Sequence, residues 1–251
     1  MSITFNSAGG TTYATHDTLA ATLAGVDGNC SFAVWINGAS TGDYWMSLGS
    51  SAANDAAFFI LYTSPSAFHR ARRGGFDVTT TENLTGITGD WRLHCMNFRT
   101  DTDTGVSMSH SVNGANFAIP ALSSGGTSNP NQLTIGAGRF NGTSAFSHVL
   151  NMSFAYPAAW SGHLTNAHAA AMYGDGPTVG NGLAPWLVNT ENLLHASSWF
   201  DGTVTQGTGT VGTAWTIVGA NTSKGDNPTL IESSGTGNRR NRRRYGPTAR
   251  V

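Results

Sequence analysis

Residues 91–114 read WRLHCMNFRTDTDTGVSMSHSVNG, and the second half of this stretch alternates strictly. Val106, Met108, His110 and Val112 fall on one face, Ser107, Ser109, Ser111 and Asn113 on the other. A period of two predicts a strand with one buried and one wet face. The first half sets Trp91, Leu93 and Cys95 against Arg92, His94 and Met96, a noisier strand. Between them, residues 100–105 are short, polar and closed by glycine, as a hairpin connection requires. Two antiparallel strands do not stand alone in water, so the remaining chain must supply more strands and a second layer.

Composition agrees. The chain has 251 residues, 32 of them glycine, and only 11% are charged, which suits short strands and tight turns rather than helices. One domain of this length buries a sizeable core. No run of about 18 apolar residues occurs, so no membrane-spanning helix is expected. The opening MSITFNSAGG lacks a basic region followed by an apolar one, so no secretory signal is expected, and synthesis in a cytoplasm is. Cys30 and Cys95 make no disulfide framework and read as small buried hydrophobes. No CxxC or tight Cys/His spacing accompanies them, which argues against zinc.

Working outward from the hairpin, strands are expected at residues 2–5, 32–36, 45–48, 57–62, 76–78, 117–119, 132–136 and 146–156. A short strand is also expected over Leu19, Ala21 and Leu23. Residues 32–36 are apolar on both faces, which suits the centre of a sandwich. Residues 164–173 (LTNAHAAAMY) form the only expected helix, capped by Thr165 or Asn166 and stopped by Gly174. Helical crossovers for a parallel sheet are missing. The chain is therefore expected to be all-β: an antiparallel sandwich with one short helix and an extended basic C-terminal arm. Residues 177–235 are either a small β lobe or strands completing the sandwich, and 236–251 are an Arg-rich tail.

The net charge of −1 conceals a split. Residues 1–237 hold seven Lys and Arg against all fourteen acids, a net −7, whereas the rest holds six arginines and no acid. These are Arg239, Arg240, Arg242, Arg243, Arg244 and Arg250, with Tyr245 among them. An acidic folded body argues against nucleic acid, whose binders carry a basic folded face. Arginine pairs bidentately with carboxylates, so a tether lying on an acidic protein neighbour is the expected partner mode.

Residues 30–176 resemble the concanavalin A-like lectin/glucanase superfamily, in particular its laminin-G-like members. The resemblance is carried by CSFAVWIN, DWRLHCMNF, the DTDTG turn leading to MSHSVNG, LTIGAGRFNGTSAFSHVLNMSFAY and the closing LTNAHAAAMYGDG. It implies a jelly-roll sandwich over residues 1–176. It specifies function poorly, because the superfamily holds lectins, glycosidases, adhesion modules and virion proteins.

A retaining glycosidase needs two carboxylates about 5–5.5 Å apart. Glu82, Glu191 and Glu232 are the only glutamates, and none has an acidic partner at a suitable spacing. Asp101 and Asp103 are the candidate calcium ligands, since a D-x-D-x-G loop presents two carboxylates and several carbonyls. No further acid completes an EF-hand spacing, and Asp with Gly also suffices simply to make the turn. His110 lies in the buried register of its strand, and Ser109 has no triad partner nearby. Trp45, Tyr44 and Trp160 could stack on sugar rings, although Trp in a small sandwich usually fills the core.

Low charge, a jelly roll, no catalytic constellation and a basic arm together point to a non-enzymatic bacteriophage virion protein. The favoured form is a capsid decoration (cement) protein, made in the host bacterial cytoplasm and attached through its arm to the major capsid protein or another virion protein. A homotrimer is implied by resemblance to such proteins. The alternative is a glycan-binding module of a tail fibre or baseplate, and the third reading is an endoglycosidase. No cofactor is expected beyond the calcium of Asp101 and Asp103.

Overall fold

A computed structural model of the chain describes residues 2–5, 12–24, 29–38, 43–52, 57–63, 66–73, 76–83, 90–99, 107–118, 130–139, 142, 144–145, 149, 151–197, 206–207, 209–219, 222–225 and 228–232. Side chains are described in these ranges except at 57, 59, 61–63, 66–73, 76–83, 99, 107, 206–207, 209–210 and 222–225. The N-terminal half contains β1 (Ser2–Phe5), β2 (Tyr13–Thr15), α1 (Asp17–Ala24), β3 (Asn29–Asn37), β4 (Tyr44–Gly49), β5 (Ala57–Thr63), β6 (Ser66–Arg73), β7 (Phe76–Asn83), β8 (Trp91–Arg99) and β9 (Ser107–Val112). Then come β10 (Gln132–Ile135), β11 (Met152–Trp160), α2 (Asn166–Tyr173) and β12 (Gly182–Leu183). The described chain closes with β13 (Leu193–Ser197), β14 (Gln206–Gly207), β15 (Gly209–Val211), β16 (Trp215–Val218), β17 (Thr222–Gly225) and β18 (Leu230–Ile231).

These strands make the expected antiparallel jelly-roll sandwich of two eight-stranded sheets. Sheet A runs β15-β13-β11-β3-β8-β9, with β1 and β17 added beside the first half of β11. Sheet B runs β14-β16-β2-β10-β4-β5-β6-β7. The hairpin of residues 91–114 pairs as expected, from His94 opposite Val112 to Arg99 opposite Ser107. It ends in a turn where Asn113 and Gly114 both take positive φ. A Cβ on Gly114 would lie 2.9 Å from Cβ of Tyr173, so only glycine lets α2 approach here.

The noise in the first half of the hairpin has a physical cause. Sheet A is buried on both faces. Phe32, Val34 and Ile36 of β3, with Met96 and Phe98 of β8, face sheet B in the main core. Ala33, Trp35, Leu93 and Cys95 face the other way, under a second cluster of α2, Leu183, Trp186, Val188 and Leu230. Arg92 and His94 therefore lie in the buried interior, at 3% and 1% exposure, where the alternation suggested a wetter face. Cys30 and Cys95 are buried, unpaired and divided between the two clusters, as expected of small hydrophobes.

One polar node ties α2 to the sheet. The Asn97 side chain treats Leu164 as a strand neighbour: Nδ2 donates to Leu164 O at 2.8 Å and Oδ1 accepts from Leu164 N at 2.9 Å. The Ser31 hydroxyl lies 2.7 Å from the same Oδ1. Leaving either Asn97 group unpaired in this buried site would cost about 1–3 kcal/mol. The helix that follows starts in a reciprocal capping box between Thr165 and His168 and ends at Gly174, as expected.

Three expectations are corrected. Leu19, Ala21 and Leu23 lie on helix α1, not on a strand. Its buried residues Leu19, Ala20 and Leu23 follow a helical spacing, and the fold thus has a second short helix. Of the strand expected at 117–119, the described residues show a single bridge from Ala118 to His110, and residue 119 lies outside them. The long strand ending near Tyr156 is β11, which begins at Met152 and runs on to Trp160. Beyond residue 177, β13, β15 and β17 extend sheet A and β14 and β16 extend sheet B.

Each fully buried side chain the size of Leu or Phe contributes about 1.5–3 kcal/mol. A fragment of residues 1–176 loses the cover over Trp35, Tyr156 and Trp160. It should show no cooperative thermal transition and should bind a hydrophobic dye, whereas residues 1–235 should melt like the full chain. A cooperative melt of 1–176 at the temperature of the full chain would contradict this architecture.

Candidate functional site

The described residues bring together a site that no sequence motif announces. His16 leaves β2 and caps α1: Leu19 N donates to its Nδ1 at 3.2 Å. Nδ1 is thus an acceptor and Nε2 carries the proton of the neutral ring, which reaches Thr213 O at 3.1 Å. His195, on β13, is fixed in the opposite tautomer. Trp215 of β16 donates its indole N–H to His195 Nε2 at 2.9 Å, so Nδ1 of His195 holds the hydrogen. That Nδ1 has no hydrogen-bond partner among the described residues. It lies against Gly212, where an added Cβ would come within 2.9 Å of it and where φ is +83°.

The two imidazoles meet edge to face, with centroids 4.8 Å apart, and Trp215 closes the triangle at 5.4 and 5.8 Å. Since β13 belongs to sheet A and β2 and β16 to sheet B, the triangle is a latch across the seam of the sandwich. Above it opens a small cavity of about 180 Å³, floored by Leu19, Leu194 and the two histidines and edged by Thr18, Thr22 and Thr213. At the start of α1, Arg139 grips Asp17 bidentately at 2.8 and 2.6 Å. That pair is partly exposed and worth little by itself.

Burial keeps these rings neutral. Desolvation pulls His195 down to about 3, helped by its His16 neighbour. It lowers His16 as well, against the opposing pull of the Thr213 carbonyl. Elsewhere in the core, His94 falls to about 3 through burial, then Arg92 and His110, and His110 to about 4 through burial. Burial raises the Cys30 and Cys95 thiols, so neither is a ready thiolate. In chemical terms the cavity is lined by threonine hydroxyls, two leucines and two neutral imidazoles, with the His195 Nδ1–H itself buried.

Asp101 and Asp103, the expected calcium ligands, lie outside the described residues, as do Arg239, Arg240, Arg242, Arg243, Arg244, Tyr245 and Arg250. Among the described residues, no group of three or more His, Cys, Asp or Glu stands together as a metal site. No helix among them is long and apolar enough to cross a membrane. Trp45 and Trp160, considered as sugar-stacking platforms, are fully buried, and Trp160 donates to Val188 O. His110 occupies the buried register expected of it, at 5% exposure. Glu232 accepts a hydrogen bond from the Tyr156 hydroxyl.

No family model and no curated protein matches the sequence. Solved structures do. The chain is similar to a native heptameric SAP-like pentraxin from Limulus polyphemus at 13% identity and a TM-score of 0.49, covering 70% of this chain and 82% of that one. It is similar to domains LG4-5 of the mouse laminin alpha1 chain at 12% identity and a TM-score of 0.43, covering 63% and 40%. A third is the CBM40 module of the Ruminococcus gnavus IT-sialidase, at 12% identity and a TM-score of 0.47, covering 69% and 98%.

Four histidines whose burial holds them neutral should make the protein acid-labile. Their folded values lie below the ordinary 6.5, so the unfolded chain binds more protons as pH falls from about 6.5 toward 3. Stability should be full above about pH 6.5 and drop below it, by up to about 1.4 kcal/mol per pH unit for each histidine. His195→Gln keeps an acceptor for Trp215 and should reduce the proton uptake on unfolding by about one. Equal melting temperatures at pH 7 and pH 4.5 would contradict the assignment.

Proposed function

We propose that this chain is a non-enzymatic binding module that attaches to a larger particle through its arginine-rich segment, as a bacteriophage capsid decoration protein. The observation that carries the reading is the division of charge. Residues 1–237 are net −7, whereas five arginines stand within the six residues 239–244. Among the described residues, every strand of both sheets comes from before Glu232. The cationic residues are concentrated at one end of the sequence. Guanidinium groups pair bidentately with carboxylates, so an acidic shell protein suits the segment better than it suits the equally acidic body. Three copies about a threefold axis is the arrangement expected on the resemblance to such proteins.

Electrostatic tethering has a salt signature. Exposed charges are screened beyond about 10 Å at 0.1 M salt, so occupancy should fall steeply as ionic strength rises. Removing residues 236–251 should abolish co-sedimentation with particles and leave the melting temperature of the body unchanged. Undiminished occupancy by the truncated protein would overturn the tether. A sugar-specific signal on a glycan array that survives the truncation would favour the host-recognition module instead.

A further inference from the structure

The rings at the seam are held by hydrogen bonds that only neutral imidazoles can make. Leu19 N donates to His16 Nδ1, and the Trp215 indole N–H donates to His195 Nε2. Neither donor has a lone pair to offer in return. A proton on His16 Nδ1 would therefore face the Leu19 N–H, and a proton on His195 Nε2 would face the indole N–H. The other two nitrogens give no escape, because each already carries the hydrogen of its neutral ring. Charging both rings also sets two cations side by side, with centroids 4.8 Å apart.

Little around the pair offsets such charge. Among the described residues the charge that acts on it is Asp17, beside His16, and Arg139 already grips that carboxylate bidentately. The strands around the pair, β2, β10, β11, β13, β15 and β16, contain no carboxylate, lysine or arginine.

The triangle also fastens a lightly laddered edge of the fold. In the centre of sheet A, β3 and β8 match residue for residue from Asn29–Arg99 to Asn37–Trp91. At the seam β13 has five residues, β14 two, β15 three and β16 four. β13 meets both of its neighbours, β11 and β15, across register shifts. Strands with so few ladder bonds open locally at less cost than the whole domain. His16 does a second job here, since it caps α1, and a helix of eight residues does not hold by itself.

We infer that the seam is a proton-released latch: protonation of His16 and His195 opens β13–β16 and the start of α1 while β3, β8 and β9 stay folded. Burial lowers both rings in the closed state, and they regain the ordinary value near 6.5 once the seam opens. The open population therefore grows as pH falls below about 6.5, up to tenfold per pH unit for each ring. Between pH 7.5 and 5.5 the two rings together give a rise of about a hundredfold. Opening uncovers an apolar seam of Leu19, Leu194 and Trp215.

Hydrogen exchange on the full chain at pH 7.5 and 5.5, read by mass spectrometry and corrected for the intrinsic pH dependence of the rates, tests this. Amides of residues 193–197 and 215–218 should lose protection about a hundredfold, and those of 30–37 and 91–99 should stay better protected than the seam at both values. Equal protection of seam and centre at both values, or an unchanged seam, overturns the inference. His16→Asn/His195→Gln keeps an acceptor in each place and takes up no proton, so its seam should be equally protected at both values. An undiminished pH response in this variant also overturns the inference. Should the variant fold poorly, a proton–nitrogen NMR spectrum of the unsubstituted chain supplies the second measurement. His16 should carry its hydrogen on Nε2 and His195 on Nδ1 at pH 7.5, and the same tautomer on both rings would contradict the latch.

Discussion

Everything in this fold depends on sheet A being buried on both faces. A sandwich normally hides one face of each sheet and wets the other. Here β3, β8 and β11 carry large side chains on both sides, with Trp35 and Trp160 opposite the main core. An eight-residue helix cannot cover that second face. The chain after α2 must return over it, bringing Leu183, Trp186, Val188 and Leu230, and it then threads strands into both sheets. Among the described residues, the last strand of this cover is β18, Leu230–Ile231.

Much of this was legible in the sequence, for physical reasons. Strict alternation over residues 107–112 left no doubt about period, and the apolar run 32–36 announced two buried faces. The capped, alanine-filled stretch ending at Gly174 could only be a helix. Other parts were ambiguous. Leu19, Ala21 and Leu23 fit a period of two, while Leu19, Ala20 and Leu23 fit a helix, and a window that short cannot separate them. The cap supplied by His16 decides it. Strand β6, SAFHRARR, carries three arginines and no clean alternation, so it was not expected. It pairs with β5 in register, His69 opposite Ile60 and Ala71 opposite Phe58.

The candidate site was the least legible part. His16 and His195 are 179 residues apart, and neither stands in a motif. They meet because β2 and β13 lie on facing sheets at the seam that β16 completes. Opposite tautomers, each fixed by a different partner, make the pair a neutral latch rather than a proton relay. The charge split, by contrast, was plain from the sequence because it needs no geometry. What the fold adds is the anchoring of Glu232 by the Tyr156 hydroxyl and the Trp186 indole N–H.

The most direct test of the central claim is an electron cryo-microscopy reconstruction of the decorated particle. The account predicts jelly-roll density on the particle surface with the arginine segment lying on shell carboxylates. Density with the arginine segment pointing into solvent would contradict it.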